Sequence, residues 1–276
     1  MTKIKINNTE LFYTEYGSGT PFLTMHGGLG LDHSYLRPVL DPLADIFHLI
    51  YYDFRGHGRS GKPPINTITY EQLAEDAEAL RKELDLKTIG VIGNSAGGYV
   101  ALNYAIKYPD NLKYLILIDT APAFDYMGEM MELVKQKKPT PEMIKTFNAP
   151  VAPTPDEFKK QFKILQPLYF YNYTPEFEEM AIKLMDKVIF TPEAAALNDV
   201  LTPKFNVCSQ LSEIKAITLI LVGEDDFICP PSQAKRMHEA IPNSDLHIFE
   251  KSGHYPFFED PDNFYEVIRN WFEKVS

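Results

Sequence analysis

Apolar and polar positions alternate along Lys3 to Ile6 and again along Glu10 to Tyr16, and the two stretches meet at Asn7-Asn8. Period-two alternation on both sides of a pair of turn-forming residues predicts a β-hairpin. Gly17-Ser18-Gly19 ends that pattern, and the short apolar run Pro21 to Met25 then leads into His26-Gly27-Gly28-Leu29-Gly30. Tyr35 to Ala44 reads as a short helix. A strand from His48 to Tyr52 follows and ends in the segment Asp53 to Ser60. Thr69 stands at an N-cap position with Gln72 three residues on, and Leu73, Ala77, Leu80 and Leu84 recur at helical spacing. Ile89 to Ile92 is another apolar strand, and Val100, Ala101, Tyr104 and Ala105 mark the apolar face of the next helix, which stops before Pro109. Leu112 to Asp119 is again strand-like.

Strands that are apolar throughout, alternating with helices, predict a parallel sheet covered on both faces, here with the hairpin as an antiparallel edge. The rhythm stops at about Ala121. Up to Ser212 no strand is evident, and eight prolines from Pro122 to Pro175 divide the stretch into helical pieces. The candidates are 127–137, 156–165, 175–188 and 192–201, with methionines and aromatic residues dense among them. Then a strand (Ile217 to Val222), a helix (Pro231 to Ile241), a strand (Asp245 to Phe249) and an amphipathic helix (Asp260 to Val275) complete the chain. The organisation expected is therefore an α/β core of mostly parallel, doubly wound sheet, residues 1–120 and 213–276, with residues 121–212 inserted as a helical lid. A lid of this kind excludes water and shapes a pocket, although most of its apolar residues are expected to form its own small core.

Composition narrows the function. A formal net charge of −11 argues against nucleic acid or an anionic membrane surface as partner. No apolar run is long enough to span a bilayer, and MTKIKINNTE lacks the apolar core of a signal peptide. Two cysteines, Cys208 and Cys229, make neither a disulfide framework nor a zinc spacing, so a reducing cytoplasm is expected, with no metal and no cofactor.

Chemistry enters at Gly93-Asn94-Ser95-Ala96-Gly97, a G-x-S-x-G between a buried strand and a helix. A serine at such a turn sits in strained backbone, and glycines two residues away on each side remove side chains that would collide. The helix beginning there turns free N–H groups toward the site. A serine hydroxyl still needs a base, and the base an orienting acid. Of the seven histidines, His254 follows a strand through a short loop, the place where parallel sheets carry reactive groups. His26 and His57 read as loop-holding residues; His33, His48, His238 and His247 read as surface or edge residues. For the acid, spacing favours Asp226 in Gly223-Glu224-Asp225-Asp226, with Asp225 as runner-up and Asp119 as a competitor. The order Ser95, Asp226, His254 at three separate strand ends is far more specific than any one motif. The negative oxygen of a tetrahedral intermediate needs two backbone donors, and these are expected from Ala96 and from Gly28, in preference to Gly27.

Together these motifs look like those of the α/β-hydrolase superfamily over nearly the whole length. His26-Gly27-Gly28-Leu29-Gly30 and the Asp53-to-Ser60 segment are similar to the proline iminopeptidase group. That group typically has a tryptophan after the nucleophile and a glutamate after the catalytic aspartate, where this chain has Ala96 and Phe227. The elbow also resembles carboxylesterases, lactonases and carbon–carbon bond hydrolases. The resemblance implies a serine hydrolase for a small-molecule substrate. With Phe227 in place of a charge partner, a small neutral ester or lactone is expected, with Phe227, Tyr255 and Leu29 as candidate substrate contacts. The alternative, cleavage after an N-terminal proline, needs a carboxylate near the substrate amine, from Glu224, Glu129 or Glu132.

Overall fold

A computed structural model describes residues 2–276. One sheet holds all eight strands: β1 (Thr2–Ile6), β2 (Thr9–Tyr16), β3 (Thr20–Met25), β4 (Phe47–Tyr52), β5 (Ile89–Asn94), β6 (Leu112–Ile118), β7 (Ile217–Gly223) and β8 (Ser244–Phe249). Their order is β1-β2-β4-β3-β5-β6-β7-β8. β2 pairs antiparallel with β1 and with β4, and all other pairs are parallel. The hairpin turns at Asn7 and Asn8, with φ of 40° and 61°. Asparagine tolerates this left-handed geometry, and its twist matches that of the strands.

The parallel strands are apolar throughout because helices cover both faces. Phe22, Leu49, Ile92 and Ile116 pack with Phe264, Ile268 and Trp271 on one side. Their chain neighbours Leu23, Ile50, Val91 and Leu115 pack on the other, with the helices Tyr70–Glu83 and Ala96–Lys107. Thr69 caps the first of these helices, its side chain accepting from Gln72 N–H at 3.1 Å.

Several local expectations differ from the structure, among them the helix expected over 192–201, which is two short pieces, Pro192–Ala195 and Asn198–Leu201. Tyr35 to Ala44 is not one helix but two 3-10 turns flanking the short helix Arg37–Leu40, because Pro38 and Pro42 lack the N–H groups a continuous ladder needs. Between β6 and β7 the prolines start helices more often than they break them. Pro141–Phe147, Pro155–Tyr169 and Pro175–Met185 each begin with proline after a threonine whose side chain accepts an N–H of the first turn. The first of these helices was not expected. The second runs through Pro167, beyond the expected end at Leu165, and Leu168 in its last turn is buried. That extra turn carries Tyr169 to the sheet's C-terminal edge. Among the described residues no helix is long and apolar enough to cross a membrane.

Candidate active site

β5 delivers Ser95 in a conformation few residues tolerate, φ 52° and ψ −122°. Such backbone costs of order 1–3 kcal/mol and persists only where its surroundings enforce it. Here Ser95 N–H donates to Ile118 O at 2.9 Å. Its carbonyl accepts from Gly98 N–H and from Thr120 Oγ1, both at 2.8 Å. A Cβ on Gly97 would lie 2.0 Å from Met25 O, so only glycine lets the helix start this close to β3. Ser95 makes no side-chain cap bond, which leaves its hydroxyl free at the cavity wall.

The loops after β7 and β8 are laced together by Glu224 N–H to Phe249 O at 2.9 Å and Asp225 N–H to Ser252 O at 2.8 Å. Within this frame Asp226 Oδ1 accepts from Ile228 and Cys229 N–H, at 2.8 and 3.1 Å, and Oδ2 lies 2.8 Å from His254 Nδ1. The carboxylate is thus held on one side by amides and presents the other oxygen to the imidazole. This fixes the tautomer with the proton on Nδ1 and leaves Nε2 able to accept one. Both residues are buried. Ser95 and His254 face the same cavity, and no direct hydrogen bond joins them in this arrangement; such bonds often tighten only with substrate.

The two other candidate acids are elsewhere engaged. Asp225 pairs with Lys137. Asp119 accepts from Gly223 N–H at 3.1 Å, while its other oxygen has no partner. Burial and the neighbouring Asp226 charge push its carboxyl well above the usual range, the opposite of what an acid that stabilises an imidazolium needs. The Cys229 thiol lies near the pair, its sulfur within 4.8 Å of ligand atoms of Asp226 and His254. Burial and the Asp226 charge push this thiol well up.

Gly28, with φ 61°, and Ala96, the first residue of its helix, are the two expected oxyanion donors. Neither amide has a hydrogen-bond partner among the described residues. The N–H of Gly27 donates to Tyr35 Oη at 2.5 Å and is therefore committed.

His26 and His57 hold the loops as expected. His26 Nε2 accepts from Phe54 N–H at 3.3 Å with Nδ1 facing Gly27 O, and His57 Nδ1 faces Arg55 O at 2.8 Å. His33 corrects an expectation: it is buried, not peripheral, with Nδ1 2.5 Å from Asp53 Oδ1. Burial pushes His26 down to about 4 and His57 down to about 3. Between those values and the ordinary 6.5 the unfolded chain binds more protons than the native one, so stability falls as pH drops through that window. The slope is about 1.4 kcal/mol per pH unit for each histidine. Urea midpoints measured from pH 7 to pH 4.5 are expected to fall steadily below about 6.5, and a flat profile contradicts neutral buried imidazoles.

The cavity above Ser95 measures about 260 Å³. With about 30 Å³ per water molecule, that admits a small substrate. Leu29, Phe158, Phe162, Leu184, Met185 and Phe190 form apolar walls, mostly from the helices between β6 and β7. Among the described residues, no Asp, Glu, Lys or Arg lines it. Leu29 and Tyr255 do so as expected, whereas Phe227 does not: it is buried behind the wall, against Phe147 and Tyr169, and Ile228 lines the cavity instead. A strand-end loop turns successive side chains to opposite sides, so one residue of register decides which faces inward. Glu129 bonds Ser232, Glu132 pairs with Lys135, and Glu224 faces Lys251 N–H; all three lie outside the cavity.

Tyr35, Tyr169 and Asn94, none of them among the expected site residues, also line the cavity. Tyr169 O accepts from His254 N–H at 2.7 Å, and its ring stacks on Tyr255 at 5.6 Å. Glu259 clasps the same region, accepting from Gly253 N–H at 2.6 Å and from Tyr171 N–H at 2.8 Å. A serine–glycine–histidine loop signals the base, but nothing in the local sequence announces which distant carbonyl will hold it.

A model described as the alpha/beta hydrolase fold matches residues 20–261. A proline iminopeptidase of Lactobacillus crispatus is 30% identical over 92% of this chain and 90% of its own. Another, from Pestalotiopsis fici, is 29% identical over 98% and 99%. Among solved structures, a thermophilic esterase from Thermogutta terrifontis superposes with a TM-score of 0.73 at 27% identity, over 97% of this chain and 94% of that one.

Proposed function

From a chain that belongs to the α/β-hydrolase fold family and is a hydrolase, we propose an enzyme that cleaves a small neutral carboxylic ester or lactone through an acyl-enzyme. The single observation that carries this reading is the absence, among the described residues, of any Asp, Glu, Lys or Arg from the cavity wall. In the proposed reaction Ser95 Oγ attacks the carbonyl carbon while His254 Nε2 takes its proton. The charge on the former carbonyl oxygen is met by the Gly28 and Ala96 amides, and Asp226 stabilises the imidazolium. The imidazolium then protonates the departing alkoxide, and water, activated by the same imidazole, releases the acid. Residues 121–212 serve as the cap: Thr191 N–H donates to Gly30 O at 2.7 Å, which brings it down on the glycine loop.

The relatives named as proline iminopeptidases favour a second reading, release of an N-terminal proline. That reaction buries a substrate ammonium, which needs a carboxylate partner to be favourable. Paired p-nitroanilides of proline and of cyclopentanecarboxylic acid differ only in the ring amine, and p-nitrophenyl cyclopentanecarboxylate adds the ester. The expected order of kcat/KM is ester, neutral anilide, then proline anilide, the last two separated by at least about 10-fold, equivalent to about 1.4 kcal/mol. Faster turnover of the proline compound than of its neutral isostere rejects the ester reading and favours the aminopeptidase.

A further inference from the structure

Two loops must be held at a fixed separation for both oxyanion amides to reach one oxygen. Gly28 sits in the loop after β3, and Ala96 follows the turn after β5. The ladder between these strands ends at Met25 and Gly93, short of both amides. Beyond it a chain of side-chain hydrogen bonds continues the connection. Gly27 N–H donates to Tyr35 Oη at 2.5 Å, and Tyr35 Oη donates to Asn94 Oδ1 at 2.8 Å. Asn94 Nδ2 then donates to Ile118 O at 3.3 Å, the same carbonyl that accepts Ser95 N–H at 2.9 Å. The residue preceding one oxyanion donor is thereby tied, through one phenol, to the residue preceding the nucleophile.

Tyr35 and Asn94 are buried, so their side chains are held in place by the surrounding packing as well as by these bonds. The fit is close as well: a Cβ on Gly27 would lie 2.9 Å from Tyr35 Oη and 2.9 Å from Ser95 Cβ. The ring packs separately, among the apolar residues on one face of the sheet, so its packing and its hydroxyl can be tested apart.

We propose that Tyr35 is a positioning residue that sets the spacing of the Gly28 and Ala96 amides, with Asn94 as its anchor; this rests on the serine-hydrolase reading above. A misplacement approaching 1 Å costs up to about 10²-fold in rate, so loosening this tie acts on the transition state more than on substrate binding.

The test is Tyr35→Phe, which keeps the ring and removes the hydroxyl. On a p-nitrophenyl ester kcat is expected to fall roughly 10- to 100-fold with KM nearly unchanged. Affinity for a trifluoromethyl ketone, which forms the charged tetrahedral adduct, falls in parallel with kcat/KM. Thermal melts confirm that the variant is folded at the assay temperature. Asn94→Ala cuts the same chain from the other end, so the double variant is expected to be no slower than the slower single one. Unchanged kcat and inhibitor affinity in folded Tyr35→Phe, or fully additive losses, overturn the proposal. If the wild type neither turns over esters nor takes a fluorophosphonate on Ser95, the hydrolase reading falls and this one with it. A wild type that does both beside an unaffected Tyr35→Phe removes only the positioning role.

Discussion

Ser95→Ala is expected to lower kcat on a p-nitrophenyl ester by about 10⁴-fold or more, because the bond-forming atom itself is removed. Alanine keeps the Cβ that the backbone at φ 52° already accommodates, and Ser95 makes no capping bond that the fold would lose. The loss is therefore chemical and not conformational. An unchanged thermal midpoint beside absent turnover supports this, and substantial ester hydrolysis by the purified variant removes Ser95 from the mechanism. Some acceleration over water is expected to survive, since the oxyanion donors and the binding cavity remain.

Asp226→Asn is the second large effect, about 10⁴-fold in kcat. The asparagine carbonyl can still accept from the Ile228 and Cys229 amides, which presents its NH₂ to His254 Nδ1. Nδ1 must then act as acceptor, so the proton moves to Nε2 and the imidazole can no longer take one from Ser95. Asp225→Asn and Asp119→Asn serve as controls. Asp225 pairs with Lys137, and Asp119 faces Gly223 N–H and not His254, an acceptor role its amide oxygen keeps. Each control is expected to cost less than about 10-fold, a small effect on the scale where 1.4 kcal/mol is tenfold. A loss at Asp119 as large as that at Asp226 assigns the acid to the wrong strand end.

These contrasts also mark where local sequence stopped being informative. Three carboxylates stand together at Glu224, Asp225 and Asp226, and spacing could rank them but not orient them. Orientation came from the paired loops after β7 and β8, which turn Asp226 inward and leave Asp225 to Lys137. His33 misled for a similar reason. Its polar neighbours suggest exposure, but its partner Asp53 lies on another strand end, and burying an imidazole is tolerable once it meets a carboxylate.

By itself the sequence determined the doubly wound sheet, the antiparallel hairpin at its edge, and the strained serine between two glycines. All of these follow from short-range physics: side-chain period, turn chemistry, and the collisions a Cβ would cause two residues away. Only the tertiary structure decided which aspartate meets His254, that Ile228 and not Phe227 faces the cavity, and that among the described residues no Asp, Glu, Lys or Arg lines it. It also brought Tyr35 between the glycine loop and the elbow, and Tyr169 onto His254. Those outcomes depend on how the helices of residues 121–212 and the strand-end loops pack against one another. Such contacts join residues far apart in the chain, and no local spacing encodes them.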